Sequence, residues 1–234
     1  MHSSPAVANG VVYIGSWDDN VYALNAGTGV KLWSYRAGNV ISSPPAVADG
    51  VVHVGSNDTY LYALNADTGA LLWRHFVGGS QGMQAMLAVA NGLVYAGSGY
   101  IVYALNARTG VQQWTFGAGS FVDSPAVANG VVYVGSWDYN VYALNAKTGT
   151  LLWSYPTGLY VYAFPAVANG VVYVGSDDGN LYAFGLTRGD ERHRVAKPES
   201  DSMPPVLKML RPDFNLKASK LAVTPSSAER EVQE

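Results

Sequence analysis

A five-letter marker, "AVANG" or "AVADG", ends at Gly10, Gly50, Gly92, Gly130 and Gly170, so the chain repeats itself at intervals of 40, 42, 38 and 40 residues. Self-similarity at this period constrains the fold more than any single motif, because each unit must be one supersecondary element that buries itself against its copies. In the first unit four segments stand out: "SPAVA" (4–8), "VVYIGS" (11–16), "NVYALNA" (20–26) and "VKLWSY" (30–35). Asn9-Gly10, Asp18-Asp19-Asn20 and Thr28-Gly29 part them. Val, Ile, Tyr and Trp dominate the segments and turn formers sit between, which predicts short antiparallel strands joined by hairpins.

The strands "VVYVG" and "VYALN" carry apolar or aromatic side chains at successive positions, so both faces of each sheet must be covered. Four strands per unit of about 40 residues, covered on both faces, describe the blade of an all-β propeller. Five repeats are expected, at about 3–36, 43–76, 85–117, 124–156 and 164–195, the last one degenerate. They leave open whether the blades form a small closed ring or a partial, open one. A linear solenoid is disfavoured: it needs a polar cap at its end, and the first unit is as apolar as the fourth. Only Met1 and His2 precede the first blade, so no strand swapped from the N-terminus is expected to close a ring, although an upstream piece is also left open.

The heptad "ALNAGTG" (23–29) returns as "ALNADTG" (63–69), "ALNARTG" (104–110) and "ALNAKTG" (143–149), each followed four residues later by Trp33, Trp73, Trp114 or Trp153. Gly29, Gly69, Gly110 and Gly149 supply the positive φ of a hairpin, and the Asn and Thr side chains can bond its amides. The variable fifth letter (Gly27, Asp67, Arg108, Lys147) is then a solvent-facing turn position. The fifth copy, "AFGLTRG" (183–189), replaces Asn, Thr and Trp by Gly185, Arg188 and His193, and its fourth strand would read "DERHRV". Three good strands and an open edge are expected for that blade, together with association through that edge.

The pattern A-x-N-x-x-T-G-x-x-x-W resembles the tryptophan-docking motif of propellers related to the pyrroloquinoline quinone (PQQ) dehydrogenases. The resemblance covers residues 3 to 186 and is specific for fold, since the same repeat serves enzymes and scaffolds. It implies that each indole packs between its own blade and the next. It also implies a bacterial, periplasmic or extracytoplasmic setting, although the sequence itself shows no leader of basic and apolar segments. The family usually has Asp where this chain has Asn25, Asn65, Asn106 and Asn145.

A quinoprotein enzyme would need clustered carboxylates for Ca²⁺, a carboxylate base and, by resemblance, paired cysteines and a basic clamp for the cofactor. The body has no Cys, no Glu before Glu191 and only Lys31, Arg36, Arg74, Arg108 and Lys147 as basic residues. No catalytic residue and no metal site is therefore assigned, and no cofactor is expected. PQQ with Ca²⁺ enters only under the alternative, a fragment of a quinoprotein oxidoreductase. The turns "WDDN", "NDTY", "WDYN" and "DDGN" read as hairpins rather than calcium loops. His53 replaces the Tyr of "VVYVG" and reads as a strand residue with a satisfied ring.

The units diverge between the docking Trp and the next "PAV": "RAGNVISSP", "FVGGSQGMQAM", "FGAGSFVDSP" and "PTGLYVYAFP". In a propeller such a loop leads into the innermost strand, so its last residues stand at one mouth of the central channel. Ser42, Gln84, Asp123 and Tyr162, with His2 in the first unit, are the candidate ligand-binding residues there. The function expected is a non-enzymatic interaction scaffold that holds a protein partner or small ligand on the loop face. A net charge of −3 gives no reason to expect nucleic acid, and no apolar run approaches a membrane span. Seventeen of the 31 charged side chains lie from Arg188 onward, so residues 187–234 read as a charged, disordered tail.

Overall fold

The computed structural model describes residues 3–78 and 87–185, and all of its regular structure is antiparallel strand. His2, Gln84, His193, "DERHRV" and the tail lie outside the described residues. Blade one comprises Ala6–Ala8, Val11–Gly15, Asn20–Asn25 and Lys31–Arg36, paired in sequence order from inner to outer strand. Blade two repeats it with Ala46–Ala48, Val51–Gly55, Tyr60–Asn65 and Leu71–Phe76. Blade three uses Leu87–Ala90, Leu93–Ser98, Ile101–Asn106 and Gln112–Gly117. Blade four uses Ala126–Ala128, Val131–Gly135, Asn140–Asn145 and Leu151–Pro156. Blade five has three described strands, Ala166–Ala168, Val171–Gly175 and Leu181–Gly185.

Each inner strand touches the inner strand of the next blade, so these short Ala-rich segments form a common wall. Because side chains alternate along a strand, each blade has a forward and a back face. Tyr13, Val21, Ala23 and Trp33 of blade one meet Val52, Val54, Tyr62 and Leu64 of blade two in one apolar cluster. Three equivalent clusters join blades two and three, three and four, and four and five. Among the described residues none joins blade five to blade one. Val12, Ile14, Tyr22 and Leu24, on the back of blade one, are only half-buried. Their counterparts Val52, Val54, Tyr62 and Leu64 are 0–2% exposed. The described blades thus form an open arc.

The heptad builds a hairpin clasp. Asn25 Oδ1 accepts the amides of Gly27 (3.0 Å) and Thr28 (2.9 Å) and the Thr28 hydroxyl (3.0 Å), while Gly29 takes φ of 72°. The variable letters are all solvent-exposed, as expected. Four residues on, the indole crosses to the next blade. Trp33, Trp73 and Trp114 donate Nε1–H to the carbonyls of Ala66 (2.9 Å), Ala107 (3.1 Å) and Ala146 (3.0 Å). Their rings lie flat on the hairpin glycine of that blade: a Cβ built on Gly69, Gly110 or Gly149 falls 2.6–2.7 Å from the Trp Cδ2. At Gly29 the same construction meets no described residue within 4 Å. Trp153 is half-buried, with its ring 5.0 Å from Phe184.

His53 takes over the duty of the tyrosines it replaces. Tyr13 and Tyr95 donate their hydroxyls to Ala66 O (3.2 Å) and Ala146 O (3.1 Å), and His53 Nε2 reaches Ala107 O at 2.9 Å. Among the described residues the buried Nδ1 has no partner within strict hydrogen-bonding geometry, although the Ala46 backbone acts on the ring alongside Ala107. Burial pushes its pKa down, so the folded ring is neutral, while an unfolded histidine takes up a proton below about pH 6.5. The unfolded state then binds more protons, and stability falls as pH falls through that value. His53→Tyr removes this dependence. Its stabilisation relative to the parent chain, read from urea midpoints, is expected to be larger at pH 5 than at pH 8; equal differences would refute the assignment.

Candidate functional site

Turns between second and third strands, and the loops between blades, emerge at the same end of the wall. Backbone bonds tie them together across each junction. Asn57 N donates to Val40 O, Trp137 N to Phe121 O and Asp177 N to Tyr160 O, each at 2.9 Å. Residues 57, 137 and 177 are thus structurally equivalent, and so are 42, 123 and 162. Each of these three junctions presents one side-chain pair at the same place on the mouth.

The pairs differ in chemistry. Ser42 Oγ lies 3.2 Å from Asn57 Oδ1, a polar pair. Trp137 Nε1 donates to Asp123 Oδ2 at 3.2 Å. Tyr162 stands beside Asp177, and the rings of Trp137 and Tyr162 are 4.6 Å apart at 61°. Asp123 and Tyr162 therefore meet through Trp137, whereas Ser42 belongs to a separate junction. Burial lifts the Asp123 carboxyl to about 6, against the opposing bond from the Trp137 indole. Partial desolvation, followed by the charges of Asp177 and Asp123, raises the Tyr162 phenol.

Phe121, Trp137, Tyr139 and Tyr160 extend the site, and sequence reasoning did not single them out. Rings run in a continuous ladder: Tyr100 to Phe121 (4.8 Å), Phe121 to Trp137 (5.0 Å), Trp137 to Tyr162, Tyr162 to Tyr160 (5.6 Å) and Tyr160 to Tyr139 (5.0 Å). Tyr100, Tyr139, Tyr160 and Tyr162 are 38–53% exposed. Trp17 occupies the same hairpin position in blade one and is 58% exposed.

Carboxylates at this end fall into two kinds. Asp58, Asp138 and Asp178 are structural: each accepts a glycine amide from the preceding loop (Gly38, Gly119, Gly158; 2.7–2.8 Å) and a tyrosine hydroxyl from its own third strand (2.6–2.7 Å). Each also accepts an amide within its turn. This is a hairpin lock rather than a metal cage. Among the described residues no group of three or more His, Cys, Asp or Glu side chains can hold a metal ion. Asp123 and Asp177 stand outside the locks, on the ladder.

Negative charge gathers at the mouth end, although Asp49 and Asp67 share the opposite end with Arg108 and Lys147. Asp18, Asp19, Asp58, Asp123, Asp138, Asp177 and Asp178 lie at the mouth end, where Arg36 pairs with Asp19 at 3.4 Å. Arg108 and Lys147 sit on the hairpins at the opposite end.

Strand-paired blades clasped by indoles over hairpin glycines define a β-propeller of PQQ-like repeats. The chain belongs to the family described as outer membrane protein assembly factor BamB, whose model matches residues 1–115 and again 97–215. Among solved structures it is similar to BamB from Moraxella catarrhalis, with a TM-score of 0.70 and 24% identity over 80% of this chain and 58% of that one. It is also similar to the computationally designed Ika8 protein (TM-score 0.68, 22% identity, 78% of this chain and 57% of that one). The quinohemoprotein alcohol dehydrogenase ADHIIG from Pseudomonas putida HK5 shares the fold as well (TM-score 0.64, 21% identity, 79% and 40%). This chain spans less than two thirds of the length of each. No curated protein sequence matches it. No helix of the described residues is long and apolar enough to cross a membrane.

Proposed function

We propose that this chain is a non-enzymatic propeller scaffold that binds a protein partner on its mouth face. The ring ladder from Tyr100 to Tyr139 carries the reading, for it is an exposed aromatic surface held on rigid blades. Aromatic side chains so placed are the usual anchors of protein interfaces. Membership of the BamB family and likeness in fold to that assembly factor support it.

The second reading, a piece of a quinoprotein oxidoreductase, draws on the likeness in fold to ADHIIG. The described mouth residues do not fit its cofactor. A polyanionic quinone would stand against Asp123 and Asp177, and no Lys or Arg occupies any described mouth pair. A photo-crosslinking amino acid placed at position 160 is expected to trap a discrete protein in cells, and one at position 147, on the opposite end, is not. No adduct from position 160, or stoichiometric uptake of PQQ with Ca²⁺ and dye reduction by an alcohol, would overturn the proposal.

A further inference from the structure

We infer that the ladder between Asp123 and Asp177 is a receptor for an arginine side chain presented by the partner. The inference rests on the scaffold reading and names the chemistry by which the mouth recognises its guest. Geometry comes first. Trp137 meets Tyr160 at 62° and Tyr162 at 61°, so the rings pack edge to face at steep angles, and Tyr160 and Tyr162 are 38% and 41% exposed. Such walls suit a flat cation, because the ring quadrupole attracts positive charge over its face.

Charge supplies the second argument. Blades three to five place Asp123, Asp138, Asp177 and Asp178 at this end, and among their described residues the only cations, Arg108 and Lys147, are on the far hairpins. Asp138 and Asp178 are committed to the hairpin locks. Asp123 and Asp177 flank the ladder without an internal cation to balance them. Their influence is felt locally, since both charges act on the Tyr162 phenol. A guest that brings its own positive charge neutralises them; an anionic or apolar one leaves them uncompensated.

Arginine fits better than lysine. A guanidinium is planar, stacks on aromatic faces and bonds carboxylates in a two-pronged fashion, whereas an ammonium is a strongly hydrated point charge. The guest's guanidinium would lie over Trp137 or Tyr162 with its N–H groups directed at Asp123 or Asp177.

The test titrates the full chain with tri-arginine amide, and in parallel with tri-citrulline amide, its uncharged near-isostere, while the Trp137 indole N–H signal is followed by NMR. Tri-arginine is expected to shift that signal saturably at low salt, at least tenfold more tightly than tri-citrulline, and to weaken as salt rises. Asp123→Asn, which keeps an acceptor for the indole, and Asp177→Asn should each weaken it at least fivefold. Lys147→Ala should leave it unchanged. Equal binding of tri-citrulline, or full binding by both Asn variants, would overturn the inference. A saturable shift by methyl glucoside with none by tri-arginine would reassign the ladder to saccharides. Trapping at position 160 without tri-arginine binding refutes only the arginine receptor; failure of the trapping refutes the scaffold reading itself.

Discussion

Trp114→Ala is expected to lower the unfolding free energy by about 3–5 kcal/mol, the usual cost of truncating a buried Trp. The ring is 7% exposed, tilts against Tyr95 at 5.8 Å and covers Gly149 of the next blade. Ala146 O keeps the Tyr95 hydroxyl as a donor, so the loss is one of packing rather than of an orphaned carbonyl. Trp114→Phe should therefore recover most of the stability. With total stabilities of about 5–15 kcal/mol for a domain, the alanine change removes about a fifth or more. Urea unfolding followed by circular dichroism measures it. Trp153→Ala, at a half-buried indole, should cost clearly less. Equal losses at the two sites would mean that the indoles do not act as clasps between blades.

Gly110→Ala and Gly29→Ala form the second expected result, because one substitution is made in two settings. Both glycines have φ near +70°, where an L side chain costs about 1–2 kcal/mol. At Gly110 the new methyl also falls 2.7 Å from Trp73 Cδ2, so the indole must retreat, adding about 1–3 kcal/mol of overpacking. At Gly29 it meets nothing within 4 Å. The difference in urea midpoint between the two variants isolates the docking contact. If Gly29→Ala proves as damaging as Gly110→Ala, the glycines serve the turn alone.

Much of this architecture was legible because one signal is written several times in phase. The Trp and Gly of each heptad share a spacing that only a clasp between neighbours explains, and the structure places Trp33 on Gly69, Trp73 on Gly110 and Trp114 on Gly149. The irregularity beside each clasp was not legible. Register shifts between Ala23 and Leu24, and at the matching positions of blades two to four, let Trp33 pair with Ala23 while Lys31 pairs with Leu24. Composition marks no such bulge, since the extra residue is Leu32, Leu72 or Leu152 in three blades and Gln113 in the other, none of them a glycine.

At the mouth, Asp123 and Tyr162 stood out as variable loop ends, but their partners did not. Trp137 and Asp177 follow the second strand, where turn chemistry already explained the adjacent Asp138 and Asp178. The clue was variation at one fixed letter, Trp17, Asn57, Trp137 and Asp177, beside an Asp in each of those four units. The gathering of negative charge at the mouth was hidden for another reason: it depends on which turns share an end, and successive turns of a blade alternate between ends.

The four apolar clusters between described blades each join one blade to the next. Cohesion among the described blades runs through these four links, and each link depends only on the two blades it joins. Loss of one link is therefore felt first by the two blades it joined. The ring ladder, mounted from blade three to the loop before blade five, spans the third and fourth of these links, so the recognition surface depends on them and not on the first.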